Sequence, residues 1–124
     1  MSFSGKFVLE SREKYKDFLD AIGVKQVEID NEDFVTDMYQ GAYFRIAKFM
    51  GSDVWTNTFM FGREVEMEDM DGTTFKTTVR LEGNKLKIQF PKYVYTAEIA
   101  GDKLVETNTI GGITNKMVSK RQAI

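Results

Sequence analysis

Between residues 73 and 121 the chain is a ladder of short alternating stretches broken by turns at regular spacing. The turns are Asp71-Gly72, Glu82-Gly83-Asn84, Ala100-Gly101-Asp102 and Gly111-Gly112. Glycine beside Asp or Asn supplies the backbone freedom a tight hairpin needs, so the strands on either side run antiparallel. A chain of adjacent hairpins has two open edges unless it curls shut. A closed meander of this size has an inside, and the residues lining it decide what the protein can do.

The strands have readable phases. Phe75, Thr77, Val79 and Leu81 share one face, and Lys76, Thr78, Arg80 and Glu82 the other. Leu86, Ile88 and Phe90 oppose Lys85, Lys87 and Gln89, and Pro91 marks a strand end. Tyr93, Tyr95, Ala97 and Ile99 oppose Thr96 and Glu98. Such alternation suits a one-layer sheet with one buried face. Upstream, residues 3–10 read as a first strand. Residues 34–39 and 43–49 form a hairpin turning near Gln40-Gly41, and residues 54–61 and 64–70 continue the series. Only one stretch changes period: Tyr15, Phe18, Leu19 and Ile22 make one stripe of a helix that packs on the sheet. Ser11 is placed to cap it, Glu13 suits its first turn and Gly23 its end. Residues 24–32 leave three readings open: a strand through Val27 and Ile29, a very short second helix, or an irregular connector. The expectation is an all-β domain over residues 1–124, with about ten strands and one or two helices.

The composition excludes much chemistry. A net charge of −2 gives no electrostatic case for nucleic acid. The absence of His and Cys removes disulfides, thiol nucleophiles, histidine acid–base catalysis and the usual zinc and copper sites. Glu64, Glu66, Glu68 and Asp69 read as a solvated charge run rather than a catalytic or metal cluster. No enzyme activity, cofactor or metal is expected. No apolar stretch approaches the ~20 residues of a membrane helix. The opening Met1-Ser-Phe-Ser-Gly-Lys lacks a basic region followed by an apolar run, so a cytoplasmic protein is expected.

The last two strands break the apolar pattern. Leu104, Glu106, Asn108 and Ile110 share a face, as do Ile113, Asn115, Met117 and Ser119. If those faces point inward, Glu106, Asn108 and Asn115 need partners, because an unpaired buried polar group costs roughly 1–3 kcal/mol. A wet, ligand-binding lumen supplies them. The opposite phase, with Val105, Thr107 and Thr109 inward, is equally open. Arg45 lies in phase with Tyr43, Ala47 and Phe49. It is either an inward fork for a carboxylate or sulfonate or a surface residue. Asn57 lies in phase with Trp55, Phe59 and Phe61. The many aromatic residues favour a bulky amphipathic ligand over a small metabolite.

Several segments resemble the intracellular lipid-binding, or fatty-acid-binding, protein family. They are Met1-Ser-Phe-Ser-Gly-Lys-Phe7 with Tyr15 and Phe18-Leu-Asp-Ala-Ile-Gly23; Thr56-Asn-Thr-Phe59; and Asp71-Gly-Thr-Thr-Phe-Lys76. Phe90-Pro-Lys-Tyr93, Gly101-Asp-Lys-Leu-Val-Glu106, Thr109-Ile-Gly-Gly112 and Val118-Ser-Lys-Arg121 resemble its bile-acid-binding branch. The opening and the Ser-Lys-Arg end are shared with its liver-type branch. The resemblance implies a ten-stranded antiparallel clam with a helical lid, and a monomeric, cofactor-free carrier of bile acids or fatty acids. It places ligand contacts on Tyr15, Asn57, Tyr93, Tyr95 and Glu106, with Phe59, Phe75 and Thr78 near the cavity. Three departures stand out. The segment between Gly23 and Phe34 is short for the family, so the second lid helix is expected to be shortened or absent. Met117 stands where the family usually has an Arg. Arg45 stands where an inward Trp is expected, so Arg45 is a candidate replacement anion partner. Lys14, Lys16 and Lys25 near the helix are either a solvated face or a transient membrane contact.

Overall fold

The structure is a computed structural model that describes residues 2–25 and 28–123. The chain forms β1 (Gly5–Glu13), α1 (Tyr15–Ile22), a 3-10 turn (Asn31–Asp33), β2 (Phe34–Gln40), β3 (Phe44–Met50), β4 (Asp53–Phe59), β5 (Glu64–Glu68), β6 (Thr74–Thr78), β7 (Arg80–Glu82), β8 (Lys85–Gln89), β9 (Val94–Ala100), β10 (Lys103–Ile110) and β11 (Ile113–Arg121). Among the described residues, nine strands make one antiparallel sheet in the order β4-β3-β2-β1-β11-β10-β9-β8-β7. β5 and β6 form a separate pair. The curled sheet with one helix across it is the β-clam expected from the hairpin ladder.

β1 joins the two halves of the sheet. Its first residues pair with β2 and its last with β11, with a register shift between Leu9 and Ser11 that bends the strand. This pairing runs on to Glu13, so Ser11 sits opposite Val118 in the sheet and does not cap the helix. The cap position is Lys14, held at φ 54° with no side-chain cap, and Asp17 rather than Glu13 occupies the first turn. Gly23 ends the helix as expected: at φ 78° it takes the left-handed conformation that glycine tolerates best. Lys92 Nζ also donates to Ile22 O at 3.1 Å, placing a cation at the carbonyl end of the helix.

Two further expectations change. The residues read as one strand from 74 to 82 divide at Val79, which is fully buried, and its carbonyl accepts the Gly62 amide at 3.1 Å. The break ends the inward phase, so Leu81 is exposed. Residues 24–32 hold no second α-helix among the described residues; the regular structure there is the 3-10 turn. Val27 lies outside the described residues. The connector is too short and too acidic at Asp30-Asn31-Glu32-Asp33 to repeat the apolar stripe of α1.

That stripe does what its spacing requires. Phe18, Leu19 and Ile22 are buried against the sheet, and Phe18 meets the Tyr93 ring edge-on at 4.9 Å. Inside, Leu86, Ile88, Phe90, Tyr95, Ala97 and Leu104 form the wall, with Phe3, Phe44 and Phe59 in the same core. Deleting a ring of this kind leaves a cavity the barrel cannot collapse around. Phe18→Ala is expected to lower the unfolding free energy by about 3–5 kcal/mol in equilibrium urea denaturation.

Candidate functional site: a charged pair in an aromatic lumen

Two charged side chains from facing walls meet inside the clam. Lys48, on β3, is 4% exposed and Glu106, on β10, 1% exposed. Three strands separate β3 from β10 in the sheet, so the pair spans the interior. Lys48 Nζ bonds directly to Glu106 Oε2 and donates to Thr36 Oγ1 at 2.8 Å. The Tyr95 hydroxyl donates to the same Glu106 oxygen. Local pairing explains the convergence. Thr36, Lys48 and Trp55 lie side by side across β2, β3 and β4, and Tyr95 and Glu106 lie on the inner faces of neighbouring β9 and β10. Burying an ion pair is costly unless both charges keep good partners; Thr36 and Tyr95 are those partners.

The inward phase of the last strands is therefore the polar one. Glu106, Asn108, Asn115, Met117 and Ser119 are buried, while Val105, Thr107 and Thr109 are only half-buried. The two asparagines find partners in each other and in the backbone. Asn108 Nδ2 donates to Asn115 Oδ1 at 3.1 Å, and Asn115 Nδ2 to Glu13 O at 2.9 Å. No buried side-chain nitrogen or oxygen lacks a partner among the described residues.

Arg45 is not the inward cation. Phe44, Ile46 and Lys48 face the interior because they pair with the inner row of Met38 and Phe59. Arg45 lies on the other face, half-buried, with its guanidinium 6.0 Å from the Tyr39 ring centroid. The flanking aromatics on both faces of this hairpin hid the phase. The available signal was Glu106 itself, since an inward carboxylate needs a cation inside. Met117 does face inward, packed with Leu9 and Phe34 in an apolar cluster. The interior cation thus comes from β3, as supposed for Arg45, but through Lys48.

The remaining sites separate. Asn57 closes the gap between β4 and β5. Its Nδ2 donates to Glu68 O and its Oδ1 accepts from Glu68 N, both at 2.9 Å, as a strand backbone would. Trp55 Nε1 donates to the same carbonyl at 2.8 Å. Phe59 stacks on Phe44 at 5.2 Å, and Phe75 packs on Phe90 at 5.1 Å. Thr78 shares the face of β6 opposite to Phe75 and is not brought to the charged pair. Tyr15 is half-buried, edge-on to Phe34 at 5.9 Å. Glu64, Glu66 and Glu68 are exposed, as a charge run should be, but Asp69 is buried and accepts the Tyr93 hydroxyl at 2.8 Å. That bond ties the turn between β5 and β6 to the residues leading into β9.

Two interior cavities of about 20 Å³ each adjoin the charged pair. Each is roomy enough for about one water. Phe90 lines one of them, stacked on Tyr93 at 4.8 Å and 5.9 Å from Trp55. A larger cavity of about 110 Å³ opens beside the helix, lined by Tyr15, Leu19, Val24, Lys25, Met50 and Met70 among others. Tyr15, Met50 and Met70 line both this opening and one of the interior cavities.

Burial pushes the Tyr93 and Tyr95 hydroxyls far above the usual phenol range, and the carboxylates of Asp69 and Glu106 push them further. Burial also raises Tyr15, against the opposing charge of Arg12. Both inner phenols therefore remain donors where an unfolded tyrosine, at about pH 10, has begun to ionise. The stability this contributes is intact below about pH 10 and is lost as pH rises above it, because the unfolded chain releases its protons first. Tyr93→Phe and Tyr95→Phe are each expected to flatten the alkaline fall of the urea-derived unfolding free energy. The charged pair has its own signature. Lys48→Met or Glu106→Met alone strands a buried charge and is expected to cost about 3–5 kcal/mol, while the double change costs less than either single one. A double-mutant cycle in urea measures this.

The whole chain matches known proteins. Residues 1–123 match the model of the lipocalin / cytosolic fatty-acid binding protein family, and the chain belongs to that family. Among curated relatives it is 41% identical to the gastrotropin of Mus musculus, over 99% of this chain and 100% of that one. It is 36% identical to the liver fatty acid-binding protein of Sus scrofa, over 98% and 99%. Among solved structures it resembles the zebrafish ileal bile acid-binding protein complexed with cholic acid. The identity is 38% and the TM-score 0.79, covering 97% of this chain and 98% of that one.

Proposed function

We propose that this protein binds and carries amphipathic lipids non-covalently, with bile acids or related sterol acids as its preferred class. The observation that carries the reading is the Lys48–Glu106–Tyr95 cluster set in an aromatic lumen beside an opening. A rigid amphipath with polar groups on its body matches such a lining better than a plain alkyl chain. Burying its apolar surface contributes roughly 25 cal/mol per Å² before ordering costs. The identity to gastrotropin and to a cholic acid-bound structure supports the same class. With Met117 in an apolar cluster, β11 offers no cation to the acid end there. The acid group then lies toward the opening, where Lys25 stands.

The protein acts as a monomeric single domain in the cytoplasm, without catalysis, cofactor or metal. Among the described residues no helix is long and apolar enough to cross a membrane. Lys14 and Lys16 on the helix side favour transient contact with anionic lipid surfaces during delivery. Ligand entry requires the turn held by Asp69 and Tyr93 to loosen and Phe90 to leave its stack, motions of microseconds to milliseconds.

A long-chain fatty-acid carrier is the rival reading, favoured by the identity to the liver fatty acid-binding protein. Trp55 is the chain's one tryptophan and lines both interior cavities, so its emission reports on the lumen. Titration with cholate is expected to change Trp55 fluorescence saturably, and oleate to compete only weakly. Arg45→Ala leaves the cholate affinity unchanged. Dominant binding of oleate would transfer the assignment to the rival, and no saturable change with either would remove both.

A further inference from the structure

Lys48 is the one lysine buried among the described residues. Lys48 and Tyr95 line both interior cavities. Glu106 lines neither, but its Oε2 accepts from the Lys48 ammonium and from the Tyr95 hydroxyl. A carbonyl carbon in either cavity therefore meets an amine whose proton acceptor is already in place. An ammonium attacks only once it has shed a proton, and Glu106 takes that proton along the existing bond. Loss of water favours the transfer, because it turns two buried ions into two neutral groups. Charge then selects the carbonyl. Lys48, Asp69 and Glu106 are the charged side chains buried among the described residues, and their sum is negative. A carboxylate at this depth would face Glu106, and a neutral aldehyde would not. The product also preserves the pair, since a protonated imine carries the same single positive charge as the ammonium it replaces.

We propose that Lys48 captures long-chain aliphatic aldehydes as a protonated Schiff base, with Glu106 first as proton acceptor and then as counter-ion. The Nζ lone pair forms a bond to the carbonyl carbon, and the carbonyl π pair moves to oxygen, which takes up a proton released by the nitrogen. The Tyr95 hydroxyl is the donor at hand for that oxygen. The proton held by Glu106 then passes to the new hydroxyl, which leaves as water while the nitrogen lone pair closes the C=N bond. One ammonium and one aldehyde give one iminium ion and one water, with no oxidant or reductant. Thr36 Oγ1, which accepts from Nζ at 2.8 Å, remains a partner for the iminium N–H. The proposal rests on the lipid-binding reading above and adds a covalent, hydrolysable mode for one reactive class of lipid. It also gives the ion pair a role beyond folding, since a well-packed apolar pair would hold the same walls together.

The test treats the wild type with one equivalent of hexadecanal and sodium cyanoborohydride, which fixes an imine as a stable alkylamine, and maps the adduct by peptide mass spectrometry. The adduct is expected on Lys48 ahead of every exposed lysine, and excess cholate is expected to suppress it. This map needs no variant to fold. Glu106→Gln keeps the side-chain shape and removes the proton acceptor, and is expected to slow capture at Lys48 about a hundredfold. Lys48→Arg keeps a cation for Glu106 but has no amine of this kind, and is expected to lose the interior adduct. Trp55 fluorescence with cholate is followed in parallel. A wild type that neither responds to cholate nor forms the Lys48 adduct overturns this proposal together with the lipid-binding reading. A wild type that binds cholate while hexadecanal adducts fall only on exposed lysines, or form at Lys48 equally fast in Glu106→Gln, overturns the capture by this pair alone.

Discussion

The contact between Lys48 and Glu106 constrains the rest of this protein. It joins β3 to β10 across the interior, between strands that are not neighbours in the sheet. Two ions removed from water lose several kcal/mol of solvation each, so the pair persists because each charge keeps a further partner, Thr36 for Lys48 and Tyr95 for Glu106. That demand fixes the inward phase of β2, β3, β9 and β10 together: Thr36 and Tyr95 must point at the pair, and their strand neighbours follow by alternation. A one-residue slip in β3 or β10 would bury a charge without its opposite, and one in β2 or β9 would take Thr36 or Tyr95 from the pair. The polar interior is thus a device for register as well as a lining.

Closure of the clam relies on side chains where backbone pairing stops. Between β4 and β5 there is no ladder, and Asn57 takes its place with the donor and acceptor of its amide on Glu68. Trp55 reinforces the same point. On the far side of the β5–β6 pair, the chain passes through Val79 into β7 and so rejoins the main sheet. The barrel is shut by few bonds here, and the Asp69–Tyr93 bond holds the adjoining turn. The seam bridged by Asn57 and the opening beside the helix meet near one turn, since Met70 lines the opening and follows Asp69.

Much of the architecture was legible because it rests on local rules. Turns at Gly83, Gly101 and Gly111 carry positive φ, as hairpins with such residues require. The stripe Phe18, Leu19 and Ile22 is buried, and Leu86, Ile88 and Phe90 line the interior. The errors fall where two local patterns compete. Ser11 looks like a cap, but pairing of β1 with β11 extends the strand past it. Arg45 and Lys48 both sit among aromatics, so alternation alone offered two phases. Asp69 belongs to an acidic run by composition, and only its place at the mouth of the turn brings it under Tyr93.

The amino-acid sequence by itself determined the hairpin ladder, the single amphipathic helix, the inward set on most strands and the family to which the chain belongs. These follow from periodicity and turn chemistry, which act over a few residues. Tertiary structure decided which charged groups lie inside and what they meet. Lys48 and Glu106 are 58 residues apart in the chain. No local pattern links them, and only the curl of the sheet brings them together in a space where the loss of water makes each the other's required partner.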